Sequence, residues 1–106
     1  DPMLIFQENG KDEYLLFYDC TDHTDCLAIQ FYAGYDLGRD VSLDVINAWN
    51  SSDGRRFTRA FKGADGSVSL EMDIATSRDG VSERDFRDLV GLWLLRKGEF
   101  EAQIGF

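Results

Sequence analysis

Cys20 and Cys26 stand six positions apart and enclose only the polar stretch Thr21-Asp22-His23-Thr24-Asp25. The flanking segments, Tyr14-Leu15-Leu16-Phe17-Tyr18 and Leu27-Ala28-Ile29-Gln30-Phe31-Tyr32, have strand composition, and the second alternates along its length. Two strands joined this way lie side by side, which would bring the cysteine Cα atoms within the ~4.4 to 6.8 Å that a disulfide tolerates. A disulfide is therefore expected. Its loop is short, so its entropic stabilisation should fall below the ~3 kcal/mol of a 15-residue loop. The bond would pin strand register more than it would hold the fold, and it points to an oxidising, periplasmic or secreted location. The chain starts at Asp1, with no basic start followed by an apolar stretch, so no signal peptide is visible in it.

The rest of the chain reads as an α+β domain. Met3 to Phe6 and Tyr14 to Tyr18 form a hairpin about Asn9-Gly10, a pair that supplies the positive φ angles of a two-residue turn. Gly34 to Asp40 breaks the third strand. Ser42 caps a short helix through Trp49, with Leu43, Ile46 and Trp49 on one face and Asp44 near the positive end of its dipole. Arg56 to Phe61 and Ser67 to Ile74 make a second hairpin about Gly63-Ala64-Asp65-Gly66. Ser82, with Asp85 three residues on, opens a long helix whose apolar stripe is Phe86, Leu89, Val90, Trp93 and Phe100. Gly91 and Gly98 each cost such a helix about 1 kcal/mol relative to Ala, and a break near Gly98 is allowed for. The order is βββ-α-ββ-α: an antiparallel sheet of about five strands with two helices.

Several short segments, in order, resemble the YbjN family: Asp1-Pro2-Met3, Phe17-Tyr18-Asp19-Cys20, Gln30 to Tyr35, Ile46-Asn47-Ala48-Trp49-Asn50, Arg56-Phe57-Thr58-Arg59-Ala60 and Leu70-Glu71-Met72-Asp73. The resemblance spans nearly the whole chain. It implies a fold similar to type III secretion chaperones, the label of a sensory transduction regulator and no assigned chemistry. It also implies a helix ahead of the Asp-Pro start, so that residues 1–106 would be a single domain without the family's N-terminal helix. Family members with a cysteine pair at this position look like exported, periplasmic versions.

Composition narrows the partners. Eleven basic against twenty acidic residues leave a net charge of -9, which repels phosphate backbones and anionic lipid heads, so nucleic acid is not expected as a partner. The longest apolar runs fall far short of the ~20 residues that span a bilayer, so no membrane insertion is expected. With 106 residues and 13% aromatic content the chain suits one core and one domain.

Chemistry is sparse. Cys20, His23 and Cys26 could ligate zinc with Asp19, Asp22 or Asp25, which gives a metal-dependent enzyme using this loop as an alternative function, although structural zinc sites usually take two separated ligand pairs. His23 is the only histidine, so any nucleophilic triad would sit on an exposed loop beside an oxidised cysteine. The scattered glycines make no phosphate-binding loop, and no cofactor is implied. Glu71 and Asp73 share one strand face with Arg56 and Thr58 of the partner strand, which reads as a cross-strand charge pair. Arg59 falls by parity among Phe57, Phe61, Leu70 and Met72, either snorkelling at the sheet edge or meeting a helix carboxylate. Trp49 and Trp93 could line a small-ligand pocket between sheet and helix, giving a sensor domain as another alternative.

Facing carries the most information. Leu15, Phe17, Leu27, Ile29 and Phe31 share one side of the sheet. Tyr14, Leu16, Tyr18, Ala28, Gln30 and Tyr32 share the other, with Met3 and Ile5 added by the hairpin. A sheet apolar on both sides needs two covers. If both helices take one side, Met3, Ile5, Tyr14, Leu16, Tyr18 and Tyr32 form a face for a protein partner, or for a second copy in a homodimer. The expectation is a non-enzymatic interaction or regulatory module.

Overall fold

The alternating segments pair into one five-stranded antiparallel sheet, ordered β1-β2-β3-β5-β4. The computed structural model describes residues 2–8 and 10–106. Its strands are β1 (Met3–Glu8), β2 (Lys11–Tyr18), β3 (Ala28–Tyr35), β4 (Thr58–Lys62) and β5 (Val68–Ala75), and its helices are α1 (Leu43–Ser51) and α2 (Glu83–Ile104). The βββ-α-ββ-α order of an α+β fold is present as expected.

In the first hairpin Met3 pairs with Leu16 and Glu8 with Lys11, while Gly10 has φ +75°. Asn9, the other residue of that expected turn, lies outside the described residues. Tyr14 pairs with Tyr32 and Tyr18 with Ala28, a register that the Cys20–Cys26 link continues beyond both strands. Strand β3 runs on through Gly34 to Tyr35, where a break was expected, because β5 pairs with it as far as Tyr35↔Val68. The Tyr32 side chain lies over Gly34: a Cβ there would meet its hydroxyl oxygen at 2.9 Å and the ring would have to shift.

Both helices lie on one side of the sheet. Leu15, Ile29, Phe31 and Ala33 from β2 and β3, with Ala60, Val68, Leu70 and Met72 from β4 and β5, join Ile46 and Trp49 of α1 and Trp93, Phe100 and Ile104 of α2 in a single core. Trp93 stacks on Phe31 with ring centroids 5.7 Å apart, and Trp49 meets Phe100 edge-on at 5.1 Å, geometries worth about 0.5–1.5 kcal/mol each beyond their burial. Ser42 and Ser82 cap the helices by accepting the Val45 and Asp85 amides. Helix α2 is unbroken at Gly98, since Trp93 and Phe100 anchor it on either side of the glycine. Leu43 is 60% exposed and Leu27 46% exposed, so neither belongs to the buried set expected of it.

Strand β4 begins two residues later than expected. A 3-10 turn at Asp53–Arg55 and a positive φ of +71° at Phe57 keep Arg56 and Phe57 out of extended pairing. The register then sets Arg59, not Arg56, opposite Glu71. Arg59 and Phe61 consequently lie on the side away from the helices, and Thr58 and Ala60 face them.

Candidate functional site

The side of the sheet opposite the helices carries Met3, Ile5, Tyr14, Leu16, Tyr18 and Tyr32, the six residues assigned to that face from parity. One row crosses all five strands: Ile5, Tyr14, Tyr32, Glu71 and Arg59. The next runs Met3, Leu16, Gln30 and Asp73. The face is thus apolar and aromatic over β1 and β2 and charged over β5 and β4. Met3 is 56% and Ile5 51% exposed, large apolar groups that no element among the described residues covers. A depression of about 280 Å³ lies among Met3, Tyr14, Leu16, Tyr18, Gln30 and Tyr32, with Glu71 at its charged margin.

Polar contacts fix the charged half. Arg59 donates to Glu71 through Nε at 3.1 Å and Nη2 at 2.6 Å, and its Nη2 stands 3.4 Å from Asp73. The hydrogen bonds from Arg59 to Glu71, and then the Glu71 and Asp73 charges, raise the guanidinium pKa above its ordinary value. Asp73 also accepts from Gln30 Nε2 at 2.9 Å, and Gln30 in turn receives a long bond of 3.4 Å from the Tyr18 hydroxyl. The cross-strand charge pair expected at Glu71 is present, with Arg59 as its cation. Arg59 does lie at the sheet edge, on β4, with its head exposed, but its acid comes from the neighbouring strand and not from a helix.

The disulfide is formed, with the Cα atoms 3.8 Å apart, closer than the ~4.4 to 6.8 Å expected. Inside it lies a second, smaller hairpin. Thr21 N donates to Thr24 O at 2.7 Å and Thr24 N to Thr21 O at 2.9 Å, about a turn whose central residues Asp22 and His23 have φ +49° and +65°. Positive φ at both centres is the pattern of a type I′ turn, which usually takes Asn-Gly. This tight turn draws the cysteines together. With both sulfurs bonded to each other, the thiolates that the zinc alternative needs are not available. His23 is exposed at the tip of the turn. Trp49 and Trp93, the expected walls of a small-ligand pocket, are 1% and 0% exposed and fill the core.

One polar cluster was not foreseen. Glu13 is 2% exposed on the helix side, where Trp93 Nε1 donates to it at 3.1 Å and Lys97 Nζ at 2.6 Å. Lys97 lies 3.9 Å from Glu101, and Glu101 accepts from the buried Tyr35 hydroxyl at 2.7 Å. Burial first, then the bond to Glu101, pushes the Tyr35 phenol far above its usual range. The available signal was parity: Glu13 shares its strand face with Leu15 and Phe17, and a lone carboxylate on an apolar face calls for a cationic partner. Lys97, four residues after Trp93, comes from the same helix stripe. These groups satisfy one another and bind α2 to the sheet.

The sequence matches, over residues 1–106, the YbjN family model, described as "Putative bacterial sensory transduction regulator". The chain belongs to the YbjN family. No curated protein and no solved structure matches it. Among the described residues no helix is long and apolar enough to cross a membrane, and no group of three or more His, Cys, Asp or Glu side chains is placed to hold a metal ion.

Proposed function

We propose that this YbjN-family chain is a non-enzymatic, exported regulatory module that works by receiving a protein segment on its uncovered sheet face. The observation that carries this reading is the placement of both helices on one side of a sheet that is apolar on two. Tyrosines suit such a surface, since each offers a large rigid apolar body and a polar tip that tolerates water. Charge favours one kind of occupant. The chain carries -9, and its open face holds Asp12, Glu71 and Asp73 against the single Arg59. A second copy would meet like charge, whereas an amphipathic segment with basic residues would be attracted. The disulfide supports a periplasmic or secreted setting.

Co-purification from periplasmic extract, with a double Tyr14→Ser, Tyr18→Ser variant and Leu95→Ser on the far side of α2 as control, tests the reading. The wild-type chain and the Leu95 control should capture the same basic partner, and the tyrosine variant should lose at least tenfold of it. Equal capture by all three chains would overturn the proposal.

A further inference from the structure

A sizeable cavity lies on the opposite side of the sheet from the tyrosine face and beside the disulfide. It measures about 530 Å³, within the ~300 to 1,000 Å³ of small-molecule sites. Leu15, Phe17 and Ile29 form its floor, Leu4 of the edge strand one side, and Val81 and Phe86 the other. It exists because α2 begins at Glu83 and makes its first aromatic contact with the sheet at Phe86, whose ring lies 6.1 Å from Phe31. Past that point the sheet's apolar floor has no helix above it. Leu4 and Val81 are accordingly 47% and 37% exposed.

Two loops close the end. One is the disulfide hairpin, which contributes His23, Thr24, Asp25 and Cys26, and the other is the β5–α2 loop with Thr76, Arg78, Asp79 and Gly80. They are tied together: Thr76 N and Ser77 N both donate to Leu27 O, at 3.0 and 3.1 Å, and Thr76 Oγ1 reaches Cys26 O at 3.4 Å. Among the described non-glycine residues, positive φ occurs at six, and Asp19, Asp22, His23, Asp25 and Ser77, five of them, lie in these two loops. Such conformations persist only where surrounding structure enforces them, and they gather at ligand clamps. Here the Cys20–Cys26 bond and the bonds to Leu27 are the enforcing structure.

The geometry points to a binding site for a small, predominantly apolar molecule, held in shape by the disulfide hairpin. The charged side chains stand on the loops and the floor is hydrocarbon, so the part that enters must be uncharged, and any charged head must remain at the loops. The walls on three sides favour a compact molecule over an extended peptide. This site is independent of the tyrosine face, and the two can fail separately.

Titration of the full oxidised chain with the uncharged probe N-phenyl-1-naphthylamine, followed by fluorescence, tests the inference. Saturable one-to-one binding is expected. Leu4→Trp, a change at a half-exposed wall position, should fill the cavity and weaken binding at least tenfold. The Cys20→Ser, Cys26→Ser variant should weaken it by a similar factor while circular dichroism shows the sheet and helices retained, and the Tyr14→Ser, Tyr18→Ser variant should bind as wild type. Absence of saturable binding overturns the inference, as does undiminished binding by Leu4→Trp or a loss confined to the tyrosine variant. If the cysteine variant does not fold, the Leu4 and tyrosine variants still decide the outcome.

Discussion

Tyr35 shows how single residues join the helix side of the sheet to its polar cluster. Its ring packs between Phe100 and Phe106, with centroids at 5.9 and 4.9 Å, and its hydroxyl donates to Glu101. The phenol ionises near pH 10 in the unfolded chain and far higher in the folded one, so the folded state holds the proton more tightly. The stability this provides is complete below about pH 10 and is lost as pH rises above that towards the folded value. Tyr35→Phe should cost about 1–2 kcal/mol at neutral pH through loss of the bond to Glu101. It should also flatten the alkaline fall in melting temperature, measured by thermal denaturation from pH 7 to 11; equal slopes in both proteins would count against the assignment. In the sequence Tyr35 fell within the Gly34 to Asp40 stretch read as a break after the third strand, and nothing local marked it for burial. Its partner lies 66 positions away on α2, and no local pattern links the two.

At the scale of elements, the β4 edge of the sheet is partly covered by a side chain. On β4, Asn50 at the end of α1 acts as a substitute strand: its Nδ2 donates to Ala60 O and its Oδ1 accepts from Ala60 N, both at 2.8 Å. That occupies backbone groups which would otherwise invite pairing with another chain. Arg55 of the following turn sits 4.8 Å over the Trp49 ring and bonds Glu99 at 3.1 Å, holding the α1–β4 corner against α2. Asn50→Ala should destabilise the chain by about 2 kcal/mol, as two hydrogen bonds to a buried strand residue are lost. Urea denaturation would measure the loss, and faster aggregation should accompany it. The sequence placed the end of this helix at Trp49, whereas α1 runs through Asn50 to Ser51. The role of Asn50 on the strand edge depended on the β4 register, which the positive φ at Phe57 displaced from the position suggested by alternation.

For the whole molecule, charge and exposed apolar area act against each other. The uncovered face favours association, and a net charge of -9 opposes pairing of identical copies. Sedimentation velocity at low salt should therefore show a single monomeric species. Screening by about 1 M salt, where the Debye length falls to ~3 Å, should admit weak dimers that Tyr18→Ser removes. Binding of a basic partner should respond in the opposite sense and weaken as salt rises. A dimer that is strongest at low salt would show that specific contacts outweigh net charge.

The sequence by itself determined the order of the elements, the hairpin pairings of β1 to β3, the disulfide and the sorting of side chains of those three strands onto two faces, because strand period, turn residues and cysteine spacing are local properties. Only the tertiary structure decided which face the helices cover, which arginine meets Glu71 and where a cavity remains. A sheet apolar on both sides carries no local mark of which side will be buried. That choice falls to packing between distant segments: Trp93 and Lys97 of α2 seat on Phe31 and Glu13, and the tyrosines on the other side are left uncovered.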